Sequence, residues 1–407
     1  MENTTSNETS LKELELNALL EVTQAINNNL PEDSLYKIYK FTMLANFNVQ
    51  KLALFVHDDK WDCKVNFGTT NKINKIALPS FFTSLKKMTP LNGESKEFEE
   101  FDIAIPVLHK NKLLAVMFVG DIKKYAMSSS LETGTTFLEA LTNIILVAIE
   151  NKKLARQQLE QEAMKKELEI AQQVQQFLFP KVLPETDQLH IAAHYLPHHN
   201  VGGDYYDYLP LDHGKFIVCI ADVSGKGIPA ALIMSNFQAS LHTLVRKTAN
   251  LKEIVEDLNI QINYSGNGES FITFFIALYD PQDHSLEYIN CGHNLPLISI
   301  NNADAQLLDL GTTVLGMFNP LPFNNKGRFE NIKQFTLFCY TDGLTESEND
   351  HGEEFGPDIL EELMDECIEL SPNKINMKML QSVDDFRKLN PYKDDVTLLT
   401  CKVDYKS

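Results

Sequence analysis

The 407 residues carry 36 Lys and Arg against 56 Asp and Glu, a net charge of −20. That balance excludes the basic face with which a nucleic-acid binder displaces counterions from phosphates, and the polybasic surface that holds a protein to an anionic membrane. At 43% hydrophobic and 23% charged, the chain is neither disordered nor fibrous, and its length predicts two or three domains with cores of their own.

Residues 1–9 are polar and acidic and read as a disordered tail, without the apolar stretch of a signal peptide. A helical spacing of Leu11, Leu14, Leu16, Leu19, Leu20, Val22 and Ile26 then opens a first domain over 10–135. Strand-like runs follow at Lys51–His57, Trp61–Phe67, Asp102–Leu108 and Lys112–Gly120, the last two joined by the turn-like His109-Lys110-Asn111. A helix, an antiparallel meander and a returning helix predict an α+β domain. With Ile103–Val107 and Leu114–Val119 as its most characteristic stretches, this layout resembles the GAF/PAS class of small regulatory domains. No cysteine is placed for a bilin and no nucleotide-binding signature is visible, so a sensor and a plain dimerisation domain both stay open.

From about Thr136 to Phe179, apolar residues recur at Phe137, Leu141, Ile144, Ile145, Ala148, Ala155, Leu159, Ala163, Ile170, Val174 and Phe177, with neither Gly nor Pro. Spacings of three and four sustained this long predict a coiled-coil linker over 136–180 that pairs two chains into a homodimer. A single surface helix packed on its own domains is the alternative. Pro180 and Pro184 end the helix. No run of about eighteen apolar residues exists to span a bilayer, and the six cysteines are scattered without a CxxC pair, so a cytoplasmic protein with reduced thiols is expected.

The last region, 181–407, alternates strands (His190–His194, Lys215–Ala221, Phe271–Tyr279, Ser285–Cys291, Leu295–Ile300, Gln334–Tyr340, Asp395–Lys402) with helices (Pro229–Thr248, Leu251–Asn263, Ile359–Leu370). Strands paired mainly with sequence neighbours, and helices segregated from them, predict an α-β-β-α sandwich. Its acidic residues gather at strand ends. Gly202-Gly203-Asp204 precedes Tyr205-Tyr206-Asp207, the apolar Phe216–Ala221 runs into Asp222, Phe335–Tyr340 runs into Thr341-Asp342-Gly343, and Asp394-Asp395 precedes Val396–Cys401. Each alone is an ordinary turn. Together they would repel one another unless a divalent cation neutralised them, and an oxygen-only set selects hard ions such as Mg²⁺ or Mn²⁺. Two such ions can ionise a water near neutral pH and hold it in line with phosphorus.

These stretches, with Ala221-Asp222-Val223-Ser224-Gly225-Lys226-Gly227-Ile228-Pro229-Ala230-Ala231-Leu232, Asn290-Cys291-Gly292-His293-Asn294-Leu295-Pro296-Leu297, Tyr340-Thr341-Asp342-Gly343-Leu344-Thr345-Glu346 and Asp394–Leu399, resemble the PPM metal-dependent serine/threonine protein phosphatases of the SpoIIE/RsbU branch. The resemblance implies that Asp222 bridges two divalent cations, Mn²⁺ or Mg²⁺, and that the Val223 backbone carbonyl ligates one. Asp342 and Asp394 would complete the other site, with Asp395 as the alternative to Asp394. Asp204, and less directly Asp207, would hold metal-bound waters. Catalysis would rest on Asp222, Asp342 and Asp394.

Ser224 stands where eukaryotic members carry a His, so protonation of the leaving group would fall to metal-bound water. An Arg to clamp phosphate is missing from the first motif, and substrate orientation must come from elsewhere. His293 is read as a hydrogen-bonding residue of a strand turn in preference to a catalytic acid. Gly352, Phe355 and Gly356 are read as a flap beside the site.

The implied activity is hydrolysis of phosphoserine or phosphothreonine on a protein, for which the branch suggests a STAS-type antagonist of an anti-sigma factor. The N-terminal domain would control output through the linker, with Val174 and Phe177 acting on Ile228 and Ala231 at the start of the following helix. A catalytically silent scaffold and hydrolysis of a small phosphate ester are the competing readings.

Overall fold

A computed structural model describes residues 2–47, 49–69, 73–91, 96–110, 112–121, 131–265 and 270–405. The chain divides into two compact units, Met1–Glu162 and Ala163–Ser407. The division falls inside one long helix, where the sequence sets a linker of its own over 136–180.

In the first unit, α1 (Glu2–Asn27) and α2 (Glu32–Phe47) precede β1 (Lys51–His57), β2 (Trp61–Phe67), β3 (Thr89–Pro90), β4 (Ile103–His109) and β5 (Lys112–Gly120), and α3 (Leu131–Gln176) follows. The strands form one antiparallel sheet in the order β2-β1-β5-β4-β3. Side chains alternate across it. Leu52, Leu54, Ile105, Met117 and Val119 face Val22, Tyr39, Met43, Leu141 and Ile145 of the three helices. Ala53, Phe55, Ala104, Val116 and Phe118 face Phe82, Phe98 and Phe101 on the other side. The expected α+β domain is present, with two corrections. Residues 2–9 belong to α1 where a disordered tail is expected, and α2 has no counterpart among the expected elements. Its buried face (Leu35, Tyr39, Met43, Phe47) keeps helical spacing but mixes aromatic and thioether side chains into a short polar segment, which blurs the periodicity. Asn111 of the expected turn lies outside the described residues.

The second unit is built from β6 (Leu189–Leu196), β7 (Tyr205–Pro210), β8 (Phe216–Val223), α4 (Ile228–Val245), α5 (Leu251–Ser265), β9 (Ile272–Asp280), β10 (Ser285–Cys291), β11 (Leu297–Ile300), β12 (Gln306–Leu307), β13 (Gly311–Thr312), β14 (Gly327–Phe329), β15 (Gln334–Tyr340), α6 (Asp342–Thr345), α7 (Pro357–Cys367), α8 (Pro372–Arg387) and β16 (Val396–Asp404). One sheet runs β13-β10-β9-β8-β7, with β14 on β10, and the other β12-β11-β15-β16-β6. Strand parity sorts the core into three layers. Ile217, Cys219 and Ala221 pack with Met234, Phe237, Ile254 and Leu258 of α4 and α5. Phe216, Val218 and Ile220 meet Leu337, Cys339, Leu399 and Cys401 of the facing sheet. Phe338, Tyr340, Val396 and Leu398 pack on Leu360, Met364, Met379 and Val383 of α7 and α8. This is the expected α-β-β-α sandwich, and Cys219, Cys291, Cys339 and Cys401 are buried and free. No helix among the described residues is long and apolar enough to cross a membrane.

Two boundaries matter for the site. β8 continues through Asp222 and Val223, which pair with Thr273 and Ile272, so Asp222 belongs to the strand and does not merely follow it. β7 and α8 were not among the expected elements. Tyr205-Tyr206-Asp207-Tyr208 alternates buried and half-buried residues without an apolar run, and α8 buries only Pro372, Ile375, Asn376, Met379 and Val383 of a largely polar sequence.

Phe118 is fully buried and touches Phe55, Phe82, Phe98 and Phe101. Phe118→Ala is expected to destabilise the first unit by about 3–5 kcal/mol. Trp61, the only tryptophan in the chain, lies in that unit. Urea unfolding followed by its fluorescence reads the loss directly, and an unchanged midpoint would contradict the packing described.

Candidate active site

The inter-sheet layer is apolar along most of its length and turns polar at one end. On β8 the sequence Phe216, Val218, Ile220 continues with Asp222 on the same face; on β15 and its extension Leu337 and Cys339 continue with Thr341; on β16 Cys401 and Leu399 lead back to Thr397 and Asp395. Alternation alone therefore carries these polar side chains into one buried region.

Asp204, 1% exposed, accepts hydrogen bonds on Oδ2 from Thr341 Oγ1 at 2.8 Å and Thr397 Oγ1 at 2.6 Å. Thr341 Oγ1 in turn accepts from the Thr397 amide at 2.9 Å, which ties β15 to β16 beneath the carboxylate. Asp395 is 7% exposed and accepts from the amides of His198 at 2.7 Å and Gly203 at 2.8 Å. Asp394 is part-exposed; its Oδ1 accepts from the Asp395 amide at 2.8 Å, and its Oδ2 meets Lys226 Nζ at 2.6 Å. Asp342 opens α6 directly after β15.

Electrostatics bind these groups into one system. Burial, then the charges of Asp342 and Asp394, push the Asp222 carboxyl from its ordinary 3.8 up to about 7, while a hydrogen bond with Asp204 acts the other way. Burial, then Asp222 and Asp395, hold Asp204 well above the usual carboxylate range despite its threonine donors. Burial and Asp394 raise Asp342, and Lys226 opposes them. Glu346 is raised as well, by burial first and then by Asp342 and Glu354. Buried like charges of this kind call for a cation.

The glycines of the motifs make room for this arrangement. A Cβ on Gly202 would overlap the Asp395 carboxylate, one on Gly343 would overlap the Asp395 backbone carbonyl, and one on Gly203 would stand 2.8 Å from the Val223 carbonyl oxygen. The Gly-Gly-Asp, Asp-Gly and Asp-Asp motifs therefore pack directly on one another.

Asp204, Asp222, Asp342, Asp394 and Asp395 act on one another as a single charged group, and the Val223 carbonyl borders Gly203. Asp207 lies apart from them: it is 3% exposed and held by Tyr205, by His242 Nε2 at 2.6 Å and by the Tyr208 amide. Parity explains the separation, since Tyr205 and Leu209 on the same side of β7 face α4. Ser224 Oγ accepts from the Phe271 amide at 2.9 Å and closes the end of the β8–β9 ladder. His293 is 4% exposed, bonded through Nδ1 to Thr273 Oγ1 at 2.8 Å, with its amide on Asn290 Oδ1; burial lowers it to about 3, so it is neutral and structural in character. Val174, Phe177 and Ile228 are exposed apolar side chains, and Ala231 is half-buried in α4.

Three residues with contacts here were not singled out from the sequence. Lys226 and Glu346 sit inside quoted motifs. Gln175, 6% exposed, donates to the Gly202 carbonyl at 2.7 Å and accepts from its amide at 3.2 Å. Its four-residue spacing from half-buried Ala171 and buried Phe179 was the available signal, a polar residue in phase with a buried face.

The donor set fits hard divalent cations in kind, since it is all oxygen, and in charge. The Lys226 ammonium, bonded to Asp394 and to the Lys393 carbonyl at 2.6 Å, stands in for a cation at one edge. Among the described residues no three carboxylate, imidazole or thiol groups close into a preformed cage.

Residues 212–404 match the family described as Stage II sporulation protein E (SpoIIE). The chain is 29% identical over 245 residues to phosphoserine phosphatase RsbU of Bacillus subtilis, an alignment covering 60% of this chain and 71% of that protein. It is 26% identical over 184 residues to phosphoserine phosphatase RsbP of the same organism, covering 44% of this chain and 45% of that one. Among solved structures, the SiaA-PP2C domain of Pseudomonas aeruginosa superimposes with a TM-score of 0.53 at 17% identity, over 60% of this chain and 99% of that domain.

Two outcomes follow from the geometry. Gly202→Ala is expected to displace Asp395 and to lower the melting temperature by several degrees, as a loss of about 1–3 kcal/mol would. The raised Asp222 carboxyl means that the folded state keeps a proton which the unfolded chain releases near pH 4. Metal-free protein should therefore lose stability as pH rises from about 4 to 7, and change little from this source above that. Melting in EDTA across this range checks it: Asp222→Asn should flatten the slope relative to wild type, and equal slopes would contradict the assignment.

Proposed function

We propose that this chain, whose C-terminal unit carries a serine/threonine phosphatase domain of the SpoIIE type within the PP2C class, hydrolyses phosphoserine or phosphothreonine on a signalling protein with the help of two divalent cations. The observation that carries this reading is the all-oxygen cluster of buried Asp204 and Asp395 with half-buried Asp222, Asp342 and Asp394 at one end of the sandwich, all but Asp204 within the residues that match the family.

Asp222, with a carboxylate neighbour on either side, suits a bridging position, and the Val223 carbonyl suits one ion. Asp342 and Asp394 suit the other. Asp395 serves as a brace, because its carboxylate is spent on the His198 and Gly203 amides, whereas Asp394 is part-exposed and held by a movable lysine. Asp204 orients ligands through its two threonine donors. Divalent cations bound here would supply Lewis acidity, an activated water and neutralisation of phosphate charge; Mn²⁺ and Mg²⁺ both satisfy the donor set. Ser224 Oγ is held by the Phe271 amide at the end of β8, and His293 is neutral and buried.

The names of RsbU and RsbP support a phosphoserine substrate, and the branch suggests a STAS-type antagonist of an anti-sigma factor as the phosphoprotein. Regulation runs through α3. Leu159, Ile170 and Val174 are exposed along one of its faces, a stripe that suits pairing with a second copy, while Gln175 grips Gly202 beside the carboxylates. The domain division 10–135, 136–180 and 181–407 fits this reading of sensor, linker and phosphatase.

Phosphate release from a phosphoserine peptide with Mn²⁺ tests the activity. Asp222→Asn and Asp342→Asn are each expected to reduce the rate by at least about a hundredfold, since substitutions one shell further out from a metal already cost 10–100-fold. Turnover that survives both substitutions would sink the two-cation reading. Absence of turnover in wild type, with manganese bound, would favour a scaffold.

A further inference from the structure

Positive charge is scarce where phosphate must arrive. The first motif, Gly202-Gly203-Asp204-Tyr205-Tyr206-Asp207, contains no arginine. Among the described residues, no lysine or arginine other than Lys226 stands among the principal charges acting on Asp204, Asp222 or Asp342. A phosphoester dianion approaching five carboxylates needs a cation beyond those spent on the carboxylates themselves.

Lys226 is placed and mounted for that task. It lies between Gly225 and Gly227, at φ of +97° and +69°, and a Cβ on either glycine would meet nothing within 4 Å. The loop around it is therefore unpacked, and its backbone conformation is one that glycine adopts without strain. The ammonium binds Asp394 Oδ2 and the Lys393 carbonyl, and its charge reaches Asp342 and Glu346. The side chain is 47% exposed, so its head can leave this position without breaking a packed core.

We infer that Lys226 is the phosphate-binding residue of this site. Its ammonium holds Asp394 while that carboxylate lacks a divalent cation, and moves to a non-bridging phosphoryl oxygen of the substrate once a cation takes Asp394. The inference rests on the two-cation phosphatase reading and adds the group that orients the phosphate. It also makes the lysine and the incoming cation rivals for one carboxylate.

Full-length Lys226→Met and Lys226→Arg, compared with wild type, test both consequences. Calorimetric titration with Mn²⁺ in the absence of substrate should show Lys226→Met binding manganese as tightly as wild type or several-fold more tightly. Its inhibition constant for inorganic phosphate should rise about 10- to 100-fold, as for loss of one charge-assisted hydrogen bond. KM for a phosphopeptide should rise in parallel, and Lys226→Arg should recover most of both. An inhibition constant for phosphate within twofold of wild type in Lys226→Met would overturn the inference while leaving the phosphatase reading intact. Lost manganese binding in that variant would also overturn it, by making the lysine a support of the metal site. A wild-type protein that neither binds manganese nor releases phosphate would overturn both readings together.

Discussion

Carboxylates of like charge are drawn wholly or partly out of water at one end of an otherwise apolar layer, and much of the second unit can be understood as managing that repulsion. Strand alternation delivers Asp222, Thr341, Thr397 and Asp395 to the same layer as Val218, Leu337 and Leu399, so the core and the site are built by one periodicity. Burial there raises Asp204, Asp222 and Asp342 together. Two threonine hydroxyls answer Asp204, two backbone amides answer Asp395, and Lys226 with a third amide answers Asp394. None neutralises the group as a whole. The arrangement is kept ready for cations by surroundings that fix the direction of each oxygen without satisfying the total charge.

The same constraint accounts for the glycines. Gly202, Gly203 and Gly343 stand where any side chain would strike Asp395 or press on the Val223 carbonyl. Gly202 is also gripped on both its amide and its carbonyl by Gln175 at the end of α3. The backbone that makes room for one carboxylate is thus the backbone to which the helix is fastened. The Gln175 side-chain amide and the Gly202-Gly203 backbone join the helix end to the Asp395 carboxylate.

Motifs that pair an acidic residue with glycine were legible in the sequence because chemistry and sterics restrict the same positions. The sandwich was legible because its central strands are long apolar runs. β7, α2 and α8 were less so: their buried positions carry Tyr, Asp, Met and Asn, whose hydropathy hides the period, and tertiary packing supplies what the pattern lacks. Asp394 and Asp395 are indistinguishable as letters and differ only in what the fold brings to them, amides from residues 198 and 203 for one and Lys226 for the other. Asp207 shares a motif with Asp204, yet an intervening strand start turns it toward His242. Lys226 was in plain view inside a quoted motif. Its relevance depends on a contact 168 positions further along the chain, with Asp394.

The adjacency of Asp394 and Asp395 at the head of β16 has a consequence for how this region can change over generations. Because neighbouring residues at a strand entrance serve different surroundings, gaining or losing one position directly before Val396 would carry one of them into the other's station. An added position would leave the amide-held station without its aspartate, and a lost one would leave the lysine-held station without it. Point replacement can be tested one side chain at a time, whereas a length change here alters two functions in a single event. The turn should therefore be rigid in length even where its outward side chains drift. The exposed stretch around Gly352, where a Cβ meets nothing within 4 Å, has no such accounting to keep.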